Sequence, residues 1–77
     1  MINEAKLYIL IGDKIRKTRE LQGISQQDLA ARCNFEKSNL SRIEAGRTNL
    51  TLKTLFKIST ELQITIKDLV ELNNFYF

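Results

Sequence analysis

The sequence lacks several residue types on which common enzyme and metal sites depend. It contains no histidine, tryptophan or proline, one cysteine and three glycines among 77 residues. Without histidine and with a single cysteine, the usual zinc ligand sets are missing, and one thiol forms no internal disulfide. The sequence also offers no Gly-rich phosphate loop and no paired-carboxylate arrangement. We therefore expect no metal, no cofactor and no enzymatic activity.

Long apolar runs are absent as well. The run Leu7–Ile11 is far shorter than the roughly 18 apolar residues that suggest a membrane span. No signal peptide is recognisable at the amino terminus. The sequence therefore predicts a soluble, cytoplasmic protein without a membrane partner.

What the chain does have is helical periodicity. Apolar residues make up 43% of the sequence, and they recur at helical rather than alternating spacing. We predict one all-α domain over residues 1–77. Its first helix spans 4–22 and ends at Gly23, and its fourth and fifth helices lie at about 51–72, after the caps Thr51 and Thr65. The predicted core stripe of the fourth helix is Leu52, Leu55, Ile58 and Leu62. Ile66, Leu69, Val70 and Leu72 are predicted to belong to the fifth helix.

Residues 25–46 predict two short helices joined by a tight turn. Ser25 and Asp28 form an S-x-x-D variant of the capping box, which starts a helix. Asn34 tolerates a left-handed backbone and can reverse the chain, and Gly46 is suited to end the second helix. Glu36 stands where a Ser, Thr or Asp often caps a helix, so we expect weaker capping there. Phe35 is expected to fill the core beneath the turn.

The outward face of the second of these short helices is polar and basic. It carries Lys37, Ser38, Asn39, Ser41 and Arg42, with no bulky apolar residue among them. Such a face suits a helix in the DNA major groove, where Arg or Lys can pair with guanine and Asn or Ser with other groups. We predict base contacts from Lys37, Ser38, Asn39 and Arg42. Among them, Arg42 is the strongest candidate for reading guanine.

Positive charge is concentrated around the same helix. The chain carries a net charge of only +3. Residues 37–57, however, contain five cations and one anion, whereas residues 58–77 contain one cation and three anions. A solvated charged face is the alternative interpretation, but the coincidence with the two-helix motif favours nucleic acid. Phosphate contacts are predicted for Arg47, Thr48, Asn49 and Lys53, which follow the helix.

Three motifs in a fixed order resemble the lambda-repressor-like (XRE-type) helix-turn-helix regulators. They are RELQG at 19–23, SQQDLA at 25–30 and SRIEAG at 41–46, and the match covers about residues 11–69. The resemblance implies a compact five-helix fold in which helices 2 and 3 form the helix-turn-helix. It also implies a buried structural ion pair between Arg19 and Glu44. Gln26, and less securely Gln27, would contact DNA phosphate, although both residues also suit a helix start for structural reasons alone.

The resemblance implies a homodimer that binds double-stranded DNA through the major groove at a near-palindromic operator. The predicted dimer surface comprises Tyr8, Val70 and the aromatic tail at 73–77, namely Phe75, Tyr76 and Phe77. The tail could equally fold back onto the first helix, and this alternative stays open.

The run NLTLKTL at 49–55 resembles the restriction–modification controller proteins, which suggests an autoregulatory role. An activator would in addition contact RNA polymerase. The alternative function is the antitoxin of a toxin–antitoxin pair, which would bind a protein partner as well as DNA.

Overall fold

A computed structural model describes residues 3–71, and this part of the chain folds into five α-helices without a strand. The all-α class and the number of helices expected from the sequence are confirmed. Leu72 and the predicted dimer residues Phe75, Tyr76 and Phe77 lie outside the described residues. The helices are α1 (Glu4–Leu21), α2 (Gln26–Cys33), α3 (Lys37–Glu44), α4 (Leu52–Leu62) and α5 (Ile66–Val70).

Side-chain caps begin four of the five helices. At each of these N-termini a side-chain oxygen accepts a hydrogen bond from the backbone N–H three residues later, which satisfies a donor that has no partner within the helix. Only α3 lacks such a bond among these helices, because Glu36 occupies its N-cap position, and the expected weak capping is confirmed. The four capping residues are Asn3, Ser25, Thr51 and Thr65.

Left-handed residues end the helices of the motif and reverse the chain. Asn34 has φ 59° after α2, and Gly46 has φ 73° after α3, as the sequence predicts. Gly46 is also sterically required, because a β-carbon there would lie 2.6 Å from the Cα of Ile9. Gln63 adopts φ 59° after α4, which its residue type did not indicate.

The core takes apolar side chains from all five helices. Six of them are almost completely buried: Ile15, Leu29, Leu40, Ile58, Leu62 and Leu69. Phe35 packs against this cluster, as expected.

The assignment of Leu52 to the core stripe was wrong, because its side chain is 75% exposed. At about 100° per residue, Leu52 lies roughly 70° from the centre of the buried face of α4. Leu52 is also the first residue of α4, so no preceding turn of this helix covers its side chain.

Helix α1 packs closely against the end of α3 at Gly12. A β-carbon on Gly12 would lie 2.7 Å from the carbonyl oxygen of Glu44 and would also contact the carbonyl oxygen of Ile43. The absence of a side chain at Gly12 therefore permits the close approach of the two helices. The same approach brings the last turn of α1 beside the last residue of α3.

A buried ion pair joins these two helices. The Nε of Arg19 donates to Oε2 of Glu44 at 2.8 Å, and Nη2 of Arg19 donates to Oε1 at 3.0 Å. The third guanidinium nitrogen, Nη1, donates to the carbonyl oxygen of Ile24 at 2.9 Å. The hydrogen bonds with Glu44 raise the pKa of Arg19 above its ordinary value, so the guanidinium stays charged. The pair that the resemblance implies is thus present and connects α1, α3 and the loop before α2.

We predict that Glu44→Ala lowers the free energy of unfolding by about 3–5 kcal/mol, because it leaves the Arg19 guanidinium buried without its partner. Urea denaturation followed by circular dichroism measures this change. Glu61→Ala is the matched control, since the Glu61 side chain is 28% exposed and pairs with the exposed Lys57 at 3.8 Å. Loss of such a surface pair costs about 0–1 kcal/mol. Equal effects of the two substitutions would show that the buried pair has no special role.

We also predict that Gly12→Ala destabilises the protein, although alanine favours a helix over glycine by roughly 1 kcal/mol. The added methyl group meets backbone atoms of α3 that cannot rotate away. Overpacking of this kind costs about 1–3 kcal/mol and is measured by the same denaturation. An unchanged or increased free energy of unfolding would contradict the close packing of α1 on α3.

Candidate nucleic-acid interface

Helix α3 has one buried face and one exposed face. Leu40, Ile43 and Glu44 are buried against the rest of the domain. The opposite face presents five exposed polar or charged side chains, and it includes Ser41 beside the four predicted base-contact residues. These exposed residues are Lys37, Ser38, Asn39, Ser41 and Arg42.

The five exposed side chains of α3 make no hydrogen bond or ion pair with any other side chain among residues 3–71. Their donors and acceptors are therefore satisfied by water and are available to a ligand. Short polar groups between two long cations can reach base edges and phosphates at different depths. The structure thus places the four predicted base-contact residues together on one accessible surface.

Two surface cations of α1, Arg16 and Lys17, differ in their surroundings from the cations on and after α3. On α1, Arg16 pairs with Asp13 and Glu20, and Lys17 pairs with Asp13. Hydrogen bonds from Lys17 and then Arg16 lower the pKa of Asp13 below its ordinary value. The charge of these α1 cations is thereby largely offset by neighbouring carboxylates.

Four cations on and after α3 have no such partner in the described part of the chain. None of these four cations lies within 4.0 Å of a carboxylate oxygen. By contrast, Lys57, one turn after Lys53 on α4, lies 3.8 Å from Glu61. The first turns of α3 and α4 also contain no acidic residue. Cations without a carboxylate partner are therefore present on α3 and in the segment that follows it, namely Lys37, Arg42, Arg47 and Lys53.

The predicted phosphate contacts after α3 lie in the connection to α4 and in the first turns of α4. Arg47 and Asn49 are exposed, and Thr48 is half-buried. Lys53 is exposed near the start of α4. The structure therefore leaves Arg47, Asn49 and Lys53 accessible, and Thr48 partly accessible.

Gln26 and Gln27 begin α2 but differ in their environment. Gln27 is exposed, whereas Gln26 is half-buried, and its Nε2 donates to Oε1 of Glu44 at 3.1 Å. This bond could not be predicted from the sequence, because the two residues are 18 positions apart and no periodic pattern connects them. Gln26 thus belongs both to the predicted phosphate-binding set and to the network of the buried ion pair.

Two of the predicted dimer residues lie within the described structure. Val70, at the end of α5, is 39% exposed. Tyr8 is half-buried, and its hydroxyl donates to Oε1 of Glu4 at 3.4 Å. Val70 therefore presents apolar surface to a potential partner, whereas Tyr8 is only partly exposed.

Other types of site find little support in the described residues. Cys33 is buried, and burial raises the pKa of its thiol to about 11, so the unreactive protonated form dominates at neutral pH. Residues 3–71 contain no cluster of three or more potential acidic, cysteine or histidine metal ligands. In the same part of the chain, no helix has the length and apolar character needed to cross a membrane.

Comparison with known proteins places the chain among helix-turn-helix proteins. Residues 15–69, more than half of the sequence, match the HTH_3 helix-turn-helix family. The control protein C.MunI from Mycoplasma sp is 39% identical over 64 residues, which cover 82% of this chain and 86% of that protein. The chain spans only 50% of the length of another curated relative.

Two solved structures resemble the described fold. The restriction–modification controller protein C.AhdI from Aeromonas hydrophila has a TM-score of 0.78 and 29% identity, covering 80% of this chain and 94% of its own. The biofilm regulator SinR, solved in complex with DNA, has a TM-score of 0.72 and 34% identity, covering 78% of this chain and 97% of its own. These likenesses confirm the lambda-repressor-like arrangement expected from the sequence. Together with the family match, they establish that the chain belongs to the HTH_3 helix-turn-helix family of DNA-binding transcriptional regulators.

Proposed function

We propose that the protein binds a near-palindromic operator as a homodimer and reads it with the exposed face of α3 in the major groove. The observation that carries this proposal is the set of five exposed polar side chains on α3 that have no partner within residues 3–71. A single domain of this size makes few base contacts. Two copies related by two-fold symmetry double them, with half-sites about one helical turn or a multiple apart.

In this proposal, direct base readout belongs to Lys37, Ser38, Asn39 and Arg42. Arg42 donates two parallel hydrogen bonds to O6 and N7 of a guanine, a geometry that a planar guanidinium matches well. Asn39 and Ser38 offer both donors and acceptors to neighbouring base edges. Exposure of all four side chains supports the assignment, as does the lack of any carboxylate oxygen within 4.0 Å of Lys37 or Arg42 among residues 3–71.

Phosphate contacts fix the orientation of the helix in the groove. The side chains that would make them flank α3 in the chain and carry either a positive charge or a hydrogen-bond donor. Such contacts supply affinity without reading sequence, and they make binding salt-dependent. The proposed set comprises Gln26, Gln27, Arg47, Thr48, Asn49 and Lys53.

The biological role we infer is that of an autoregulatory controller of a restriction–modification system, acting in the cytoplasm. The similarity to C.MunI and to C.AhdI supports this inference, because both are named as control or controller proteins. Repression requires only that the operator be occupied. Activation would require a further contact with RNA polymerase.

The experiment that tests the proposal is a gel shift with DNA from immediately upstream of the protein's own gene. Random DNA of equal length serves as competitor, and the titration is repeated across a range of salt concentrations. Selective binding in steps of two protomers is the expected result. Weak and equal binding to both DNAs would contradict the proposal and would favour an antitoxin or another regulator that depends on a protein partner.

We predict that Arg42→Ala reduces discrimination between the operator and random DNA by about 1–3 kcal/mol and relaxes preference at one base pair. Fluorescence anisotropy with single-base operator variants measures this loss. Arg47→Ala is the matched control, because it removes a cation assigned to phosphate. It should weaken binding to both DNAs and reduce the salt slope by about 1. Equal weakening of both DNAs by Arg42→Ala would contradict its role in base readout.

We predict that Val70→Lys weakens dimerisation and, with it, operator binding, because a charge replaces apolar surface at the proposed interface. Analytical ultracentrifugation measures the dimer dissociation constant. Leu21→Lys is the control, since Leu21 is 89% exposed and lies outside the proposed interface. If the two substitutions had the same effect on dimerisation, or neither had any, the assignment of Val70 would be wrong.

A further inference from the structure

We propose that Glu44 is a positioning residue that orients the side-chain amide of Gln26 for its contact with a DNA phosphate. This inference rests on the proposed function, in which Gln26 is one of the phosphate-binding residues. It assigns to the buried ion pair a role in DNA binding in addition to its role in stability.

The geometry around Glu44 supports the assignment. Oε1 of Glu44 accepts two hydrogen bonds, from Nη2 of Arg19 at 3.0 Å and from Nε2 of Gln26 at 3.1 Å. Oε2 of Glu44 accepts from Nε of Arg19 at 2.8 Å. The carboxylate side chain is only 3% exposed. Its position is therefore determined by the guanidinium and by the surrounding core, not by solvent.

A fixed carboxylate selects one of the two orientations of the Gln26 amide. In the observed orientation, one hydrogen of Nε2 points to Oε1 of Glu44 and the second hydrogen remains free. A flipped amide would place Oε1 of Gln26 against a carboxylate oxygen, with no proton between two acceptors. The remaining N–H of Gln26 is thus available in a defined direction, which suits donation to a phosphate oxygen.

The ion pair also fixes the segment that precedes Gln26. Nη1 of Arg19 donates to the carbonyl oxygen of Ile24, two residues before Gln26. Ser25, between them, accepts from the backbone N–H of Asp28 and so caps α2. Arg19 therefore holds the backbone just before Gln26, and Glu44 holds the Gln26 side chain.

Gln27 provides an internal comparison. It is the next residue on α2 and the same residue type, but it is exposed and makes no side-chain hydrogen bond within residues 3–71. A long side chain that is already ordered in the free protein loses less conformational entropy when it binds DNA. This difference corresponds to roughly a 2- to 12-fold change in affinity. Gln26 should gain this advantage from Glu44, and Gln27 should not.

The test is a double-mutant cycle on DNA affinity. Dissociation constants for the operator fragment and for a random duplex are measured for wild type, Gln26→Ala, Glu44→Gln and the double variant, at a temperature where all four are folded. We expect Glu44→Gln to weaken binding roughly 2- to 12-fold when Gln26 is present and less than about 2-fold when it is alanine. The parallel cycle with Gln27→Ala should be additive, whatever the effect of that substitution alone.

An equal loss of affinity in both backgrounds would show that Glu44 acts only through stability and would overturn the proposal. If Glu44→Gln does not fold, NMR relaxation of the side-chain amides in the wild-type protein decides the question. The order parameter of Gln26 Nε2 should approach the value of about 0.85 found for rigid backbone, and that of Gln27 should fall below about 0.6. If the two amides are equally mobile in a protein that binds the operator normally, this proposal is overturned and the proposed function is not. Failure of wild type to bind either duplex would instead overturn the proposed function and, with it, this assignment.

Discussion

The buried ion pair between Arg19 and Glu44 is the interaction on which the rest of the structure depends. It joins the last turn of α1 to the last residue of α3, and its third guanidinium nitrogen holds the loop before α2. Burial of either charge alone is unfavourable, so each residue requires the other in place. The close approach of α1 to α3 at Gly12 allows the two side chains to meet. Packing and electrostatics thus specify the same arrangement of helices.

Charged residues on α1 and on the exposed face of α3 differ in whether a carboxylate pairs with them. On α1, carboxylates one turn away offset Arg16 and Lys17, so this surface presents little net charge. Around α3, Lys37 and Arg42 have no carboxylate partner in the described structure. Helix α3 also lacks a side-chain cap, so its stability comes mainly from its buried face. The fold does not use the exposed side chains of α3, and in the proposed function these side chains contact DNA.

Much of the fold could be predicted because its signals are local. The caps Ser25, Thr51 and Thr65 and the left-handed Asn34 act within a few residues of their own positions, and the structure contains all four. Leu52 could not be placed correctly by spacing alone, because whether the first turn of a helix is covered depends on what packs beside it. Gln63 has a positive φ that its residue type does not favour, because the chain must turn from α4 into α5 there.

The candidate site also combines features that follow from local sequence with features that depend on tertiary packing. Sequence alone determined the all-α class, the two short helices of the motif and the polar face of α3, since helical periodicity and capping operate along the chain. Tertiary structure brought Arg19 and Glu44 together across 25 residues, and it placed Gln26 against Glu44 across 18 residues. Hydrogen bonds and ion pairs between distant residues depend on atomic distances that only the packing of helices sets. For that reason the side chains of the candidate site could be proposed from the sequence, whereas their orientation could not.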